Sequence, residues 1–228
     1  MRVIKGDEHK TSGMLRFLHL LLFTSVIASA FCETPIMGRQ EVEIERMYQY
    51  VASHNPHFDR EVAEAFYNVG SRYGIRGDIA LCQAIIETGW FRFDNGTAVP
   101  PEAHNYCGLG VKKRGDKGCK FGSVEEGVTA MMQHLYAYAS KENLPQGESV
   151  IDPRFSFVTR GCASSWESLA GRWAMNPHYG KNILRIYFRM SVHPVIDKTI
   201  QRIEVQIPDD MEFLEDEEIV TGANDFFN

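Results

Sequence analysis

The chain has 228 residues, 44% of them hydrophobic and 24% charged, and a formal net charge of −6. That length suits one domain with a sizeable core plus its ends. Acidic residues without a single base fill the chain from Gln206 onward, a solvated tail, and leave 31–205 near neutral; this excludes nucleic-acid binding, which needs a basic face.

At the N-terminus, Arg16 precedes an apolar run from Phe17 to Ile27, and Ala28-Ser29-Ala30 follows as a small-x-small cleavage pattern. Residues 1–30 therefore read as a secretory signal peptide, too short to serve as a spanning helix, with Met14 as a second possible start. The mature protein is expected to be exported, periplasmic or extracellular, with no integral membrane segment and as a monomer. Phe31 occupies the place where lipid-anchored precursors carry a small residue, which disfavours an anchor at Cys32.

Helical periodicity begins at Val42, Met47 and Val51 and stops at Asn55-Pro56. A second block, Val62, Ala65, Phe66 and Val69, ends at Gly74. Asp78 is expected to cap a third helix, with Ile79, Cys82, Ile85 and Ile86 as its buried stripe and Gly89 as its stop. From Phe91 to Gly122 the texture changes. Pro100-Pro101 and the run VKKRGDKGCKF read as a loop and a hairpin turning near Gly115-Asp116. Ser123 and Glu126 form a capping box for a helix bearing Val128, Met132, Leu135, Tyr136 and Ala139. Ser164 and Glu167 are expected to cap another through Trp166, Leu169, Ala170 and Trp173. A last helix holds Tyr179, Ile183, Ile186, Tyr187 and Met190. The expected fold is α+β and mainly α, a helical body with a small β-hairpin lobe after the Glu87 helix.

Five cysteines follow the leader: Cys32, Cys82, Cys107, Cys119 and Cys162. An oxidising compartment permits disulfides, and Cys107 and Cys119 flank a glycine-bearing turn able to bring them together. No CxxC pair or HExxH is present. His54-Asn55-Pro56-His57 reads as a turn with two incidental histidines, so no metal and no cofactor is expected.

Within CQAIIETGWFRF, a run of apolar residues closes on Glu87 and breaks into Trp90, Phe91 and Phe93. A carboxylate in the last turn faces the negative end of the helix dipole, and aromatic neighbours desolvate it; both raise its proton affinity. Such a group suits general acid catalysis near neutral pH. A helix-end glutamate paired with a nearby lysine or arginine presents the same pattern.

The stretch IALCQAIIETGW resembles the catalytic-helix signature of the glucosaminidase-type peptidoglycan hydrolases, glycoside hydrolase family 73 of the lysozyme-like superfamily. That signature reads roughly A-x-x-Q-x-x-x-E, then Ser or Thr, then G-W. NYCGLGV (105–111), FGSVEEGVTAMMQHL and WESLAGRWAMNPHYGKNI are similar to three further family segments in the same order, so the likeness spans about residues 40–190. The resemblance implies a lysozyme-like body, a catalytic domain over 31–192, and an extension over 193–228. It implies hydrolysis of the β-1,4 bond on the reducing side of N-acetylglucosamine in peptidoglycan glycan strands. By position Glu87 is then the acid, and Tyr179 steadies the reacting sugar or its water. Trp90, Asn105, Tyr106 and Trp173 are candidate sugar contacts, flat aromatics being suited to stacking.

The family takes its second carboxylate from the hairpin, where this chain offers only Asp116. Glu125 and Glu126 lie just beyond, with Glu126 already in the capping box. Inverting enzymes hold their carboxyl groups about 6.5–9.5 Å apart and retaining ones about 5–5.5 Å, and the substrate's acetamido group is a third possibility. A lytic transglycosylase or muramidase of the same fold, a catalytically impaired wall-binding protein, and a peptidase pairing Cys82 with His104 or His134 are the competing readings.

Overall fold

A computed structural model describes residues 33–94, 99–111 and 116–196. The expected signal peptide, the acidic tail and the hairpin tip at Gly115 lie outside the described residues.

Among the described residues five α-helices build the body: α1 (Ile44–His54), α2 (Arg60–Tyr73), α3 (Gly77–Thr88), α4 (Val124–Ala139) and α5 (Tyr179–Val192). Local chemistry sets several of their ends. Asp59 accepts a hydrogen bond from the Glu61 amide at 2.9 Å and opens α2, while Gly74, at φ +62°, closes it in the left-handed conformation that glycine adopts freely. Ser123 accepts from the Glu126 amide at 3.1 Å to open α4, and the Glu126 carboxylate takes the Gly122 amide at 2.7 Å.

Helix α3 carries the site. It packs against α2 on one side and α5 on another, and ten of its twelve residues are buried. The expected stripe widens into burial on nearly every side, with Ile86 and Glu87 left half-buried. A helix apolar all round belongs inside a domain. Its start differs from expectation. Arg76 stands at the N-cap, and the fully buried Asp78 sits in the first turn, gripped by Arg76 Nε and Nη2 at 2.9 Å each. Asp78 also accepts the Glu41 and Val42 amides at 2.9 and 3.3 Å, fastening the N-terminal segment to α3.

Two further expectations change. Around Trp166 there is only a single 3₁₀ turn, Glu167–Leu169. The Ser165 and Ser168 hydroxyls each accept the other's backbone N–H at 3.2 Å, Ala170 is extended, and Gly171 turns left-handed at φ +74°, so no α-helix propagates. The segment following α3 contains no strand among the described residues. Residues 105–111 and 116–121 run as loops joined by one backbone bond, Cys119 N–H to the Leu109 carbonyl at 2.7 Å. Asn105 staples them: its amide donates to the carbonyls of Leu109 and Cys119 at 2.9 and 3.0 Å.

At Gly77 α3 lies tight against the backbone of α2. A Cβ there would stand 2.1 Å from the Phe66 carbonyl oxygen, a backbone atom that cannot step aside. Gly77→Ala is expected to cost about 2–3 kcal/mol in urea unfolding, because the two helices must separate to admit one methyl group.

Candidate active site

Glu87 is the penultimate residue of α3, and Gly89, left-handed at φ +58°, ends the helix immediately after it. The chain beyond is held in a tight left-handed path, with φ of +61° at Trp90, +57° at Phe91 and +53° at Phe93. Bulky residues rarely adopt this conformation. Here the Thr88 hydroxyl accepts the Phe91 amide at 2.9 Å, and the Thr88 carbonyl accepts that of Phe93 at 3.0 Å. Phe91 packs against Phe58, Phe66 and Tyr106. These contacts hold the turn that leaves Glu87 at a boundary instead of continuing the helix past it.

Two side chains from distant sequence reach the carboxyl. Tyr179, the first residue of α5, donates its hydroxyl hydrogen to Glu87 Oε1. The Trp173 indole N–H donates to the same oxygen at 3.1 Å. Behind Tyr179, Gln83 Nε2 donates to the tyrosine oxygen at 2.9 Å, which turns the phenol hydrogen toward Glu87. Gln83 and Glu87 stand four residues apart on one face of α3, so the Q-x-x-x-E spacing has a physical reason. Gln83 Oε1 is buried with no hydrogen-bond partner among the described residues. Both donors fall on Oε1, which leaves Oε2 to bear a proton.

Burial pushes the Glu87 carboxyl up from its ordinary 4.5 to about 7, and the hydrogen bonds from Tyr179 and Trp173 pull the other way. Desolvation wins. The Tyr179 phenol is pushed up by its own burial and then by the charge of Glu87. The Cys107 thiol, on the 105–111 loop, is raised first by burial and next by Glu87. Both groups therefore remain protonated beside the acid.

The structure thus brings Glu87, Trp173 and Tyr179 together. The other sequence candidates make contacts of their own. Trp90 is buried and stacks on His54, with ring centroids 3.8 Å apart and planes 5° from parallel. Tyr106 is buried among Phe66, Phe91 and Phe93. Asn105 is fully buried, with its amide oxygen taking the Leu109 amide at 3.0 Å and its nitrogen spent on the loop. Asp116 is half-buried on the segment returning toward Phe121. Gln83, which the sequence reading passed over, belongs to the site; its spacing from Glu87 was the available signal.

Cys82 sits in the core with its thiol directed to the Asp78 carbonyl at 3.4 Å, and burial raises its proton affinity. His134 is bonded to Asp152 instead, so a Cys82–His134 nucleophile is not assembled. Among the described residues all four cysteines, Cys107 and Cys119 included, are free thiols. A separate cavity of about 510 Å³, lined by Glu41, Glu43, Glu45, Arg46 and Tyr187 among others, contains none of the Glu87 group. No helix among the described residues is long and apolar enough to cross a membrane.

The model of the glucosaminidase family, described as mannosyl-glycoprotein endo-β-N-acetylglucosaminidase, matches residues 63–191. That span contains every residue of the Glu87 group. An uncharacterized protein of Borreliella burgdorferi is 34% identical over 159 residues, covering 68% of this chain and 76% of the relative. No solved structure matches significantly.

A carboxyl whose proton is held more tightly in the folded than the unfolded state stabilises the fold while it is protonated. For Glu87 that contribution is full below 4.5, is lost as pH rises toward about 7, and stays lost above. Glu87→Gln keeps the shape without the charge. It is expected to leave stability near wild type at pH 4 and to raise it at pH 8 by about 3 kcal/mol at most, read by paired urea melts. Equal stability of the two proteins at both pH values would mean that the carboxyl is solvated.

Proposed function

We propose that this chain, which belongs to the glucosaminidase family, is an exported peptidoglycan hydrolase with Glu87 as its general acid. The bond cleaved is the β-1,4 link between N-acetylglucosamine and N-acetylmuramic acid. The observation that carries this reading is a carboxyl at the end of the buried helix α3 with both its donors on Oε1, where burial raises its proton affinity. A proton on Oε2 is then directed away from Tyr179 and Trp173, available to a glycosidic oxygen. Protonating that oxygen in the transition state lets the sugar leave as a neutral alcohol, and a group titrating near neutrality gives up its proton most effectively there.

Once the proton has gone, the new carboxylate is stabilised in place by the phenol and indole hydrogens. The same two donors keep the acid from holding its proton too tightly. Tyr179 is 1% exposed and its hydroxyl is held between Glu87 and Gln83, so its part in the reaction is exerted through the acid. Half-buried Trp173 offers an indole face at the edge of the site, whereas Trp90, Asn105 and Tyr106 support the site from within the core. Two routes complete the reaction. Asp116 serves as a base across a water molecule, or the substrate's acetamido group attacks its own anomeric carbon. The apolar leader with its small-x-small ending supports export to the wall, where glycan strands are the partner. Neither route requires a metal or cofactor.

Mass spectrometry of sacculi digested by the full protein is expected to show new reducing N-acetylglucosamine ends. Anhydro-muramic ends would identify a transglycosylase, and binding without cleavage a wall-binding protein. Glu87→Gln is expected to lose at least about a thousandfold in turnover with its circular dichroism unchanged, in line with removal of an acid from a preorganised site. Digestion by this variant at the wild-type rate would sink the assignment.

The activity of the wild type should fall as pH rises above about 7, where Glu87 loses its proton. The product anomer, followed by proton NMR in the first minutes, divides the two routes. Inversion assigns the base role to a carboxylate, tested in turn by Asp116→Asn; retention calls for a nucleophile, which is the acetamido group if Asp116→Asn stays active and Asp116 if it does not.

A further inference from the structure

We propose that His134 and Asp152 form a positioning dyad that holds the Trp173 indole against Glu87. The proposal rests on the reading of Glu87 as the acid. It begins from two buried polar residues that the reaction itself does not use. Asp152 is 1% exposed and His134 8% exposed. Asp152 Oδ2 lies 2.7 Å from His134 Nδ1, and Asp152 Oδ1 accepts the Arg154 amide at 2.8 Å, so both carboxylate oxygens are engaged.

The preceding residue of α4 fixes the loop that brings Asp152 in. Gln133 donates to the Ser149 carbonyl at 2.7 Å, and its amide oxygen accepts the Ile151 and Asp152 amides at 2.7 and 2.9 Å. One helical turn thus orders the loop with one residue and receives its carboxylate with the next.

The anchored imidazole meets Trp173 edge to face, with centroids 5.0 Å apart and planes at 77°. Tyr138 closes the corner, 5.4 Å from the imidazole and 5.7 Å from the indole, and its hydroxyl donates to the neighbouring Arg172 carbonyl at 3.1 Å. Trp173 needs such a wall. It is half-buried, it follows a short 3₁₀ turn instead of a helix, and Met175 two residues on is 80% exposed. Unsupported, the indole has other rotamers to occupy. Held, it keeps its N–H on Oε1 and favours the ionised form of the acid.

The other titratable groups bearing on the corner are Tyr179 from α5, Cys107 and Cys119 from the loops after α3, Cys162 acting on Tyr138, and Arg154 beyond Asp152. The variants below leave all of them in place.

The test uses the full chain. In His134→Asn the side-chain nitrogen stands where Nδ1 stood, so Asp152 stays paired while the ring is gone. The alkaline limb of kcat/KM on sacculi is expected to move up by about half a unit to one unit, since Glu87 loses a donor to its charged form. Trp173→Phe should give the same shift, and the double variant no more than either. A carboxyl carbon-13 titration, with Glu87 assigned by its disappearance in Glu87→Gln, should move equally without any turnover. A merely structural dyad would lower stability and leave the limb where it is.

An unmoved limb in His134→Asn beside a moved one in Trp173→Phe overturns the proposal, as do shifts that add in the double variant. If His134→Asn does not fold, His134→Phe decides. Its unanchored ring should give a smaller upward move of the carboxyl titration, and a wild-type titration overturns the dyad. Should Glu87→Gln prove fully active, the proposed reaction falls while the carbon-13 titration still judges the dyad.

Discussion

The site depends on a competition at one carboxyl group. Burial at the end of α3 disfavours the charge on Glu87, and two hydrogen bonds to a single oxygen partly restore it. Neither effect alone produces a useful acid. A fully solvated glutamate has given up its proton well below neutral pH, and an unassisted buried one would hold it too firmly to deliver. The balance falls at about 7, and each element around Glu87 can be understood as setting one side of it.

Desolvation comes from the fold as a whole. Helix α3 is threaded between α2 and α5 with almost no polar surface, so its last turn emerges from the protein interior. The left-handed run from Gly89 to Phe93 then turns the chain sharply away. Strained backbone of this kind persists where its surroundings over-determine it, and here Thr88 and a cluster of aromatic rings do so. Donation comes from two later segments. Tyr179 is placed by the start of α5, a rigid position. Trp173 comes from an irregular loop and leans on α4.

Aromatic residues in this chain divide by what surrounds them. Trp90 and Tyr106 follow the acidic motif in sequence, yet both are enclosed by other rings in the core. Trp173 and Tyr179 lie about ninety residues downstream and make the direct hydrogen bonds. Asn105 shows the same division among polar residues. Its amide, fully buried, is spent on backbone groups that would otherwise lie unpaired inside the loop, the use to which buried asparagines are generally put.

Much of the molecule was legible from the residues in order. Helical periodicity located α1, α2, α3, α4 and α5, because an apolar face repeating every three to four residues has one economical solution in water. Gly74, Gly89 and Ser123 marked helix ends, since left-handed closure and hydroxyl capping are local events between near neighbours. The same local logic singled out Glu87 as a carboxyl where a core has no use for one. Asp78 and the Ser164–Glu167 segment escaped it: the neighbouring Arg76 and two backbone amides from the distant N-terminal segment claimed the first, and a reciprocal serine pair stopped the second. Only the tertiary structure decided which partners Glu87 would have. Gln83, Trp173 and Tyr179 converge on it, and His134 meets Asp152, across separations that no periodicity encodes. Hydrogen-bond geometry and desolvation are properties of the packed chain, and they exist only once α3, α4 and α5 have closed around that one side chain.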